Sequence, residues 1–222
     1  MAQLLNDAVK KQVKDAFAQL GQPVRLLYFT RSGDGCEYCE DTRSLVEGVA
    51  ALSDKLTLTV HDVDQDPETA TAYGVERAPV LVIAGHDGAA TVDYGIRILG
   101  IPAGYEFTSL IRDVILVSGR DSGLSEQTRR YLKELKQPVH LQVFVTPTCP
   151  YCPRAVLLAH QMALESPMVK AEMVEAMEFP DLADRFGVSG VPHTTINAGA
   201  GTLVGAAPEE DLVAEIQRAL AA

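Results

Sequence analysis

The sequence predicts an α/β protein made of two tandem copies of one unit, each a central mixed β-sheet flanked by α-helices. Two observations carry this: self-similarity at a fixed offset, and the same succession of helical and extended patterns in both copies. Cys36 recurs as Cys149, Pro67 as Pro180 and Pro79 as Pro192, all at an offset of 113 residues. Tyr73-Gly74-Val75 recurs as Phe186-Gly187-Val188 at that offset, while Gln22-Pro23-Val24 and Phe29 recur as Gln137-Pro138-Val139 and Phe144 at 115. The change of offset places a two-residue insertion in the first copy, inside Arg31-Ser32-Gly33-Asp34-Gly35.

Each copy opens with an amphipathic helix. Leu5, Val9, Val13, Ala16, Phe17 and Leu20 fall at spacings of three and four in the first, and Leu124, Thr128, Tyr131, Leu132 and Leu135 in the second. Ser125, before Glu126, reads as the second helix's cap. Pro23 and Pro138 end these helices, and strands follow over Val24 to Thr30 and Val139 to Thr146. The Cys-x-x-Cys pairs Cys36/Cys39 and Cys149/Cys152 come next, where a helix should start; Leu45, Val46 and Val49, or Val156, Leu157 and His160, continue it. Further strands cover Leu56 to Val63 and Val169 to Ala176, and short helices cover Pro67 to Tyr73 and Pro180 to Phe186. Pro79 and Pro192 lead into hairpins turning at Gly85-His86-Asp87-Gly88 and Ala198-Gly199-Ala200-Gly201. Closing helices span Glu106 to Val117 and Glu209 to Ala221. The joint is Ser118-Gly119-Arg120-Asp121-Ser122-Gly123, giving units 1–119 and 120–222, each near ordinary domain size.

Composition narrows the function. With 47% hydrophobic and 22% charged residues, the 222-residue chain can build its core without disulfide staples or a metal. A formal charge of −11 argues against binding a phosphate backbone, so nucleic acid is not an expected partner. Lys10, Lys11 and Lys14 interrupt Val9, Val13 and Phe17, so the first twenty residues do not read as a signal peptide, and no stretch is apolar enough for a membrane helix. The expectation is a soluble, cytoplasmic protein without membrane partners.

In both copies a Cys-x-x-Cys follows the first core strand and a Pro stands 40 residues beyond the second Cys. This order resembles the thioredoxin fold. Cys149-Pro150-Tyr151-Cys152 is similar to the glutaredoxin active-site tetrapeptide, and Phe186-Gly187-Val188-Ser189-Gly190-Val191-Pro192 resembles the thioredoxin segment that leads to its cis-proline. The duplication, with Gly100-Ile101-Pro102-Ala103-Gly104-Tyr105-Glu106-Phe107 closing the first copy, resembles the glutaredoxin-like protein disulfide oxidoreductases with two tandem thioredoxin-fold units. The resemblance implies dithiol exchange with client proteins carrying disulfides or thiols, and a flavin-dependent, thioredoxin reductase-like electron donor. It also implies cis bonds at Ala78-Pro79 and Val191-Pro192. Two departures stand out. Thr30 and Val143 occupy the position of thioredoxin's buried Asp, so proton handling must differ; neither hairpin carries the Gly-Gly-x-Asp with which glutaredoxins hold glutathione.

A helix start offers unpaired N–H groups and partial positive charge, which stabilise a thiolate there. Cys36 and Cys149 are therefore the expected attackers, with Cys39 and Cys152 one turn on as resolving thiols that complete a two-electron exchange without a cofactor. Ala78, Pro79, Val191 and Pro192 are expected opposite the sulfurs, and Tyr38, Pro150 and Tyr151, between the cysteines, to border the substrate. Asp34, Glu37, Glu40 and Asp41 surround the first site, whereas Pro150, Tyr151, Pro153 and Arg154 surround the second. Like charge disfavours a thiolate, so Cys149 should have the lower pKa and its site should be the more oxidising and client-facing. Electrons would then run from Cys36/Cys39 to Cys149/Cys152. Two other readings compete: four cysteines on one tetrahedral zinc, and a chaperone-like module that holds clients without redox turnover. Met162, Met168, Met173 and Met177 read mainly as core filling, and His193 as a packing residue.

Overall fold

The computed structural model describes residues 5–33, 35–88 and 90–221; Asp34, one of the acids expected around the first site, lies outside them. The first unit runs α1 (Asp7–Phe17), β1 (Val24–Thr30), α2 (Cys39–Ala50), β2 (Leu56–Asp62), α3 (Pro67–Ala72), β3 (Val80–Asp87), β4 (Ala90–Val92), β5 (Ile96–Leu99) and α4 (Glu106–Gly119). The second runs α5 (Glu126–Lys133), β6 (Val139–Val145), α6 (Cys152–Glu165), β7 (Val169–Glu175), α7 (Pro180–Arg185), β8 (His193–Ile196), a 3-10 turn (Asn197–Gly199), β9 (Gly201–Val204) and α8 (Glu209–Leu220). Local chemistry sets several starts. Asn6, Asp66 and Ser125 cap α1, α3 and α5 by accepting from the backbone N–H three residues on. None of the helices is long and apolar enough to cross a membrane among the described residues.

The sheets of the two units join edge to edge. Strand order is β2-β1-β3-β5-β7-β6-β8-β9, with β4 paired to the far end of β3. Ile96 to Leu99 pair in parallel with Ala171 to Val174, so β5 and β7 remove each other's exposed edges and leave β2 and β9 outermost. Alternation along the strands sorts the core onto two faces. Leu26 and Tyr28 of β1 join Val46, Leu110, Val156 and Ile216 in one cluster that runs through both units; Leu27 and Phe29 pack with Ala70, Phe144 and Leu182 on the other. Met162 and Met173 fill the core, while Met177 is 76% exposed.

Three features depart from the sequence reading. Gly85, His86 and Asp87 are not a turn; they extend β3 and pair with Val92, Thr91 and Ala90. Strand β5 was not foreseen, because Arg97 interrupts a run of only four residues. Arg97 is nevertheless buried, held by the Asp93 carboxylate and the Tyr73 carbonyl. Finally, α1 and α5 end several residues before Pro23 and Pro138.

The motif that closes the first unit seats the second. Gly100 and Gly104 have φ of 93° and 60°, in the left-handed region that favours glycine. A Cβ on Gly100 would lie 2.6 Å from Glu175 Cβ, and one on Gly104 would collide with the Pro147 carbonyl. Glycine here lets the β7–α7 loop and the loop before Cys149 pack against the β5–α4 connection. Two turns into α4, fully buried Asp113 meets fully buried His160 of α6 at 2.8 Å.

Candidate active sites

The C-terminal ends of β1, β5, β6 and β7 and the N-terminal ends of β3 and β8 share one edge of the sheet. Both Cys-x-x-Cys pairs follow from it. Each pair is bonded as a disulfide, Cys36–Cys39 and Cys149–Cys152, with Cα atoms 5.5 Å apart in both. The helices start later than expected. The first bond of α2 runs from the Thr42 N–H to the Tyr38 carbonyl, so Cys39 and Cys152 are the first helical residues. Cys36 and Cys149 sit in the preceding turns, above the helix ends rather than on them.

At the second site Cys149 is 8% exposed and Cys152 fully buried. Cys149 Sγ lies 3.7 Å from the carbonyl oxygen of Val191, whose bond to Pro192 is cis. Tyr151, 70% exposed, stands between the cysteines, next to exposed Pro150. At the first site Cys36 is partly exposed, Cys39 is buried, and the Ala78–Pro79 bond is cis. The Tyr28 hydroxyl donates to the Cys39 carbonyl at 2.7 Å, and burial pushes it up to about 12. Cys36, Tyr38, Ala78 and Pro79 line a groove of about 1250 Å³, whose opposite wall is Pro147, Glu175, Met177, Glu178 and Phe179 of the second unit. The first site is thus a composite of both units.

Charge separates the sites further. Glu40 and Asp41 stand in the first turn of α2, and none of the first-turn residues of α6 is acidic. Glu37, Asp41, Glu175 and Glu178 line the first-site groove. Burial raises Glu175, and burial with the charges of Glu175 and Glu37 pushes Glu178 up to about 7, against the hydrogen bond it accepts from Ile101.

Near the second site lies an acid that sequence reasoning passed over. Glu106 opens α4, only 1% exposed; Oε2 accepts from Ser109 at 2.6 Å and Oε1 has no partner. The Tyr105 N–H, one residue before it, bonds the Pro147 carbonyl, two residues before Cys149. Helices α4 and α6 are tied at that end and again at Asp113–His160. Seven residues of α4 and eight of α6 rise about 10 and 12 Å, which sets Glu106 level with Cys152. Burial pushes its carboxyl up to about 7, with Asp113 adding to the rise and the Ser109 bond and His160 opposing it. The sequence held a signal for it: with Leu110, Asp113, Val114 and Val117 it lies on the buried stripe of α4. Glu175 and Glu178 carried no local signal, because their neighbour Cys36 is distant in sequence. His193 packs edge-on to Phe144 in the core.

Four strand-to-strand steps separate β1 from β6, roughly 19 Å across the sheet. Ligands of one zinc must all lie about 2.3 Å from it, so the two pairs cannot share an ion in this arrangement. Among the described residues no group of three or more His, Cys, Asp and Glu is placed to hold a metal.

A family model described as a thioredoxin domain matches residues 30–90 and 139–218. The chain belongs to this thioredoxin-domain family. Within it, the chain is similar to a protein disulfide oxidoreductase from Aeropyrum pernix, with a TM-score of 0.88 and 34% identity over 98% of this chain and 94% of that one. The AhpF component of alkylhydroperoxide reductase from Enterococcus faecalis superposes with a TM-score of 0.86 and 29% identity, over 96% of this chain and 100% of that one. A protein named NADH dehydrogenase from Ferdinandcohnia aciditolerans is 25% identical over 96% of this chain, but over only 37% of its own length. The chain spans about a third of the curated relatives it matches. The chain thus has the fold of the protein disulfide oxidoreductase it resembles and carries two bonded Cys-x-x-Cys pairs.

Proposed function

We propose that the chain exchanges disulfides with client proteins through two redox units, 1–119 and 120–222, with Cys149/Cys152 as the main client-facing and more oxidising centre. The observation that carries this reading is the position of Cys149: before a helix whose first turn holds no acid, with the Val191 carbonyl 3.7 Å from its sulfur. In the reduced enzyme, the Cys149 thiolate attacks one sulfur of a client disulfide; that S–S bond breaks and the leaving thiolate takes a proton. The Cys152 thiol then loses its proton and attacks the Cys149 sulfur. This releases the second client thiolate and closes the Cys149–Cys152 disulfide, so two electrons have passed to the client. Oxidation of a client dithiol is the reverse.

Glu106 is the proton acceptor for Cys152 in this reading. It takes the place of the buried Asp whose position Val143 fills, and a carboxyl near 7 is matched to that task. Val191 and Pro192, and Ala78 and Pro79 at the first site, present backbone to an extended client strand, with Tyr38, Pro150 and Tyr151 along its rim. At roughly 19 Å, the two centres cannot exchange directly, so electrons expected to run from the first to the second travel by a shared client or partner. The names of the relatives, NADH dehydrogenase and alkylhydroperoxide reductase, support a flavin-dependent reductase as donor to the first site.

Insulin reduction coupled to dithiothreitol tests the assignment. Cys149→Ser should abolish most turnover, and Cys36→Ser should leave most of it. Full activity in Cys149→Ser would overturn the client-facing role of the second site.

A further inference from the structure

We infer that the groove beside Cys36 takes an extended protein segment whose reacting cysteine is flanked by Lys or Arg, a preference that Cys149 does not share. This rests on the reading of Cys36 as a redox centre and adds which partner that centre accepts. Among the described residues the lining of the groove holds four carboxylates, Glu37, Asp41, Glu175 and Glu178, and one cation, Lys10. Lys10 lies 3.9 Å from Asp7 on its own helix. Glu175 is 2% exposed; its Oε2 accepts from the Glu178 N–H at 2.6 Å, and its Oε1 is buried in the groove wall with no partner.

A buried carboxylate oxygen without a donor is unfavourable, and close carboxylates repel. The raised Glu175 and Glu178 carboxyls report both effects. An ammonium or guanidinium group entering the groove meets Glu37, Asp41 and Glu178, the carboxylates that solvent reaches, and relieves the repulsion. The apolar part of the lining, Pro79, Ile101 and Phe179, suits the methylene stem that carries such a group. The carboxylates are not gathered for a metal: no group of three or more potential ligands is so placed among the described residues. At Cys149 the neighbours Pro150, Tyr151, Pro153 and Arg154 include none of these features.

The test uses the full chain with Cys39→Ser and Cys152→Ser, so that each attacking cysteine traps its mixed disulfide. Two peptides, one with Lys and one with Glu around a single cysteine, are supplied in equal amounts as thionitrobenzoate mixed disulfides. Attack on the peptide sulfur breaks its bond to the aryl sulfur and releases thionitrobenzoate, one disulfide replacing another. Digestion and mass spectrometry then read which peptide each cysteine holds.

Cys36 should carry the cationic peptide in about tenfold or greater excess, while Cys149 shows no such excess. The bias at Cys36 should collapse in high salt, as an electrostatic preference must. It should also collapse in Glu37→Gln with Glu178→Gln. Equal capture at Cys36, the same bias at both cysteines, or a bias at Cys36 indifferent to salt would overturn the inference while leaving the redox reading intact. The salt series needs no groove substitution, so it decides even where the Gln variant fails to fold. No capture at Cys36 would overturn the redox reading of that site along with the inference.

Discussion

The two units share one fold and one spacing of cysteines and proline, yet their active sites differ because each meets a different part of its neighbour. Site one opens onto a groove whose far wall is the second unit, and four carboxylates line it. Site two has none of the acids in its helix's first turn, and has Glu106 buried at the level of Cys152. Pairing β5 with β7 imposes the asymmetry, since it lays the β7–α7 loop beside Cys36 and the start of α4 beside the loop before Cys149. Duplication in an open chain therefore gives two unequal environments from one unit.

The sharpest way to break the comparison is to remove each attacker in turn. Cys149→Ser should lower insulin reduction by roughly 100-fold or more, with Cys36→Ser costing less than about twofold; steady-state rates under dithiothreitol read both. Seating of the units comes next. Gly104→Ala places a Cβ against the Pro147 carbonyl in left-handed backbone, and should destabilise the fold by roughly 3 kcal/mol or more, read by urea denaturation. The same change at Gly88, also at positive φ but with open space around it, should cost less.

Glu106 offers a prediction with a sign. Burial raises its carboxyl from 4.5 to about 7, so the folded chain holds this proton more tightly than the unfolded chain. That stabilisation is fully present below pH 4.5 and is lost as pH rises through about 7. Glu106→Gln keeps the polar contact and removes the charge. It should raise stability by up to about 3 kcal/mol at pH 8 and leave it nearly unchanged at pH 4. Its activity should fall at the second site and not at the first, measured as single-turnover rates on the double Cys→Ser variants. Equal losses at both sites would remove the proton-acceptor role.

Much of this was legible in the sequence because repetition made it so. Two copies of each signal fixed the order of elements, the Cys-x-x-Cys pairs and the positions of both cis-prolines. What stayed hidden depends on contacts between copies. Strand β5 is short, and Arg97 in it reads as polar until Asp93 and the Tyr73 carbonyl are seen to satisfy it. Glu175 and Glu178 belong to the first site only because the sheets join. Glu106 was readable as an acid on an apolar stripe, but its relation to Cys152 rests on the packing of α4 along α6.

The contrast in acidity between the two sites is tested most directly by their reduction potentials. Each is measured by glutathione or dithiothreitol equilibration on the full chain with the other pair changed to Ser. We expect a Cys149/Cys152 potential more positive than that of Cys36/Cys39 by about 30 mV or more, the equivalent of about one pKa unit in thiolate stability. Equal potentials, or a more oxidising Cys36/Cys39 pair, would contradict the assignment of the second site as the client-facing oxidant.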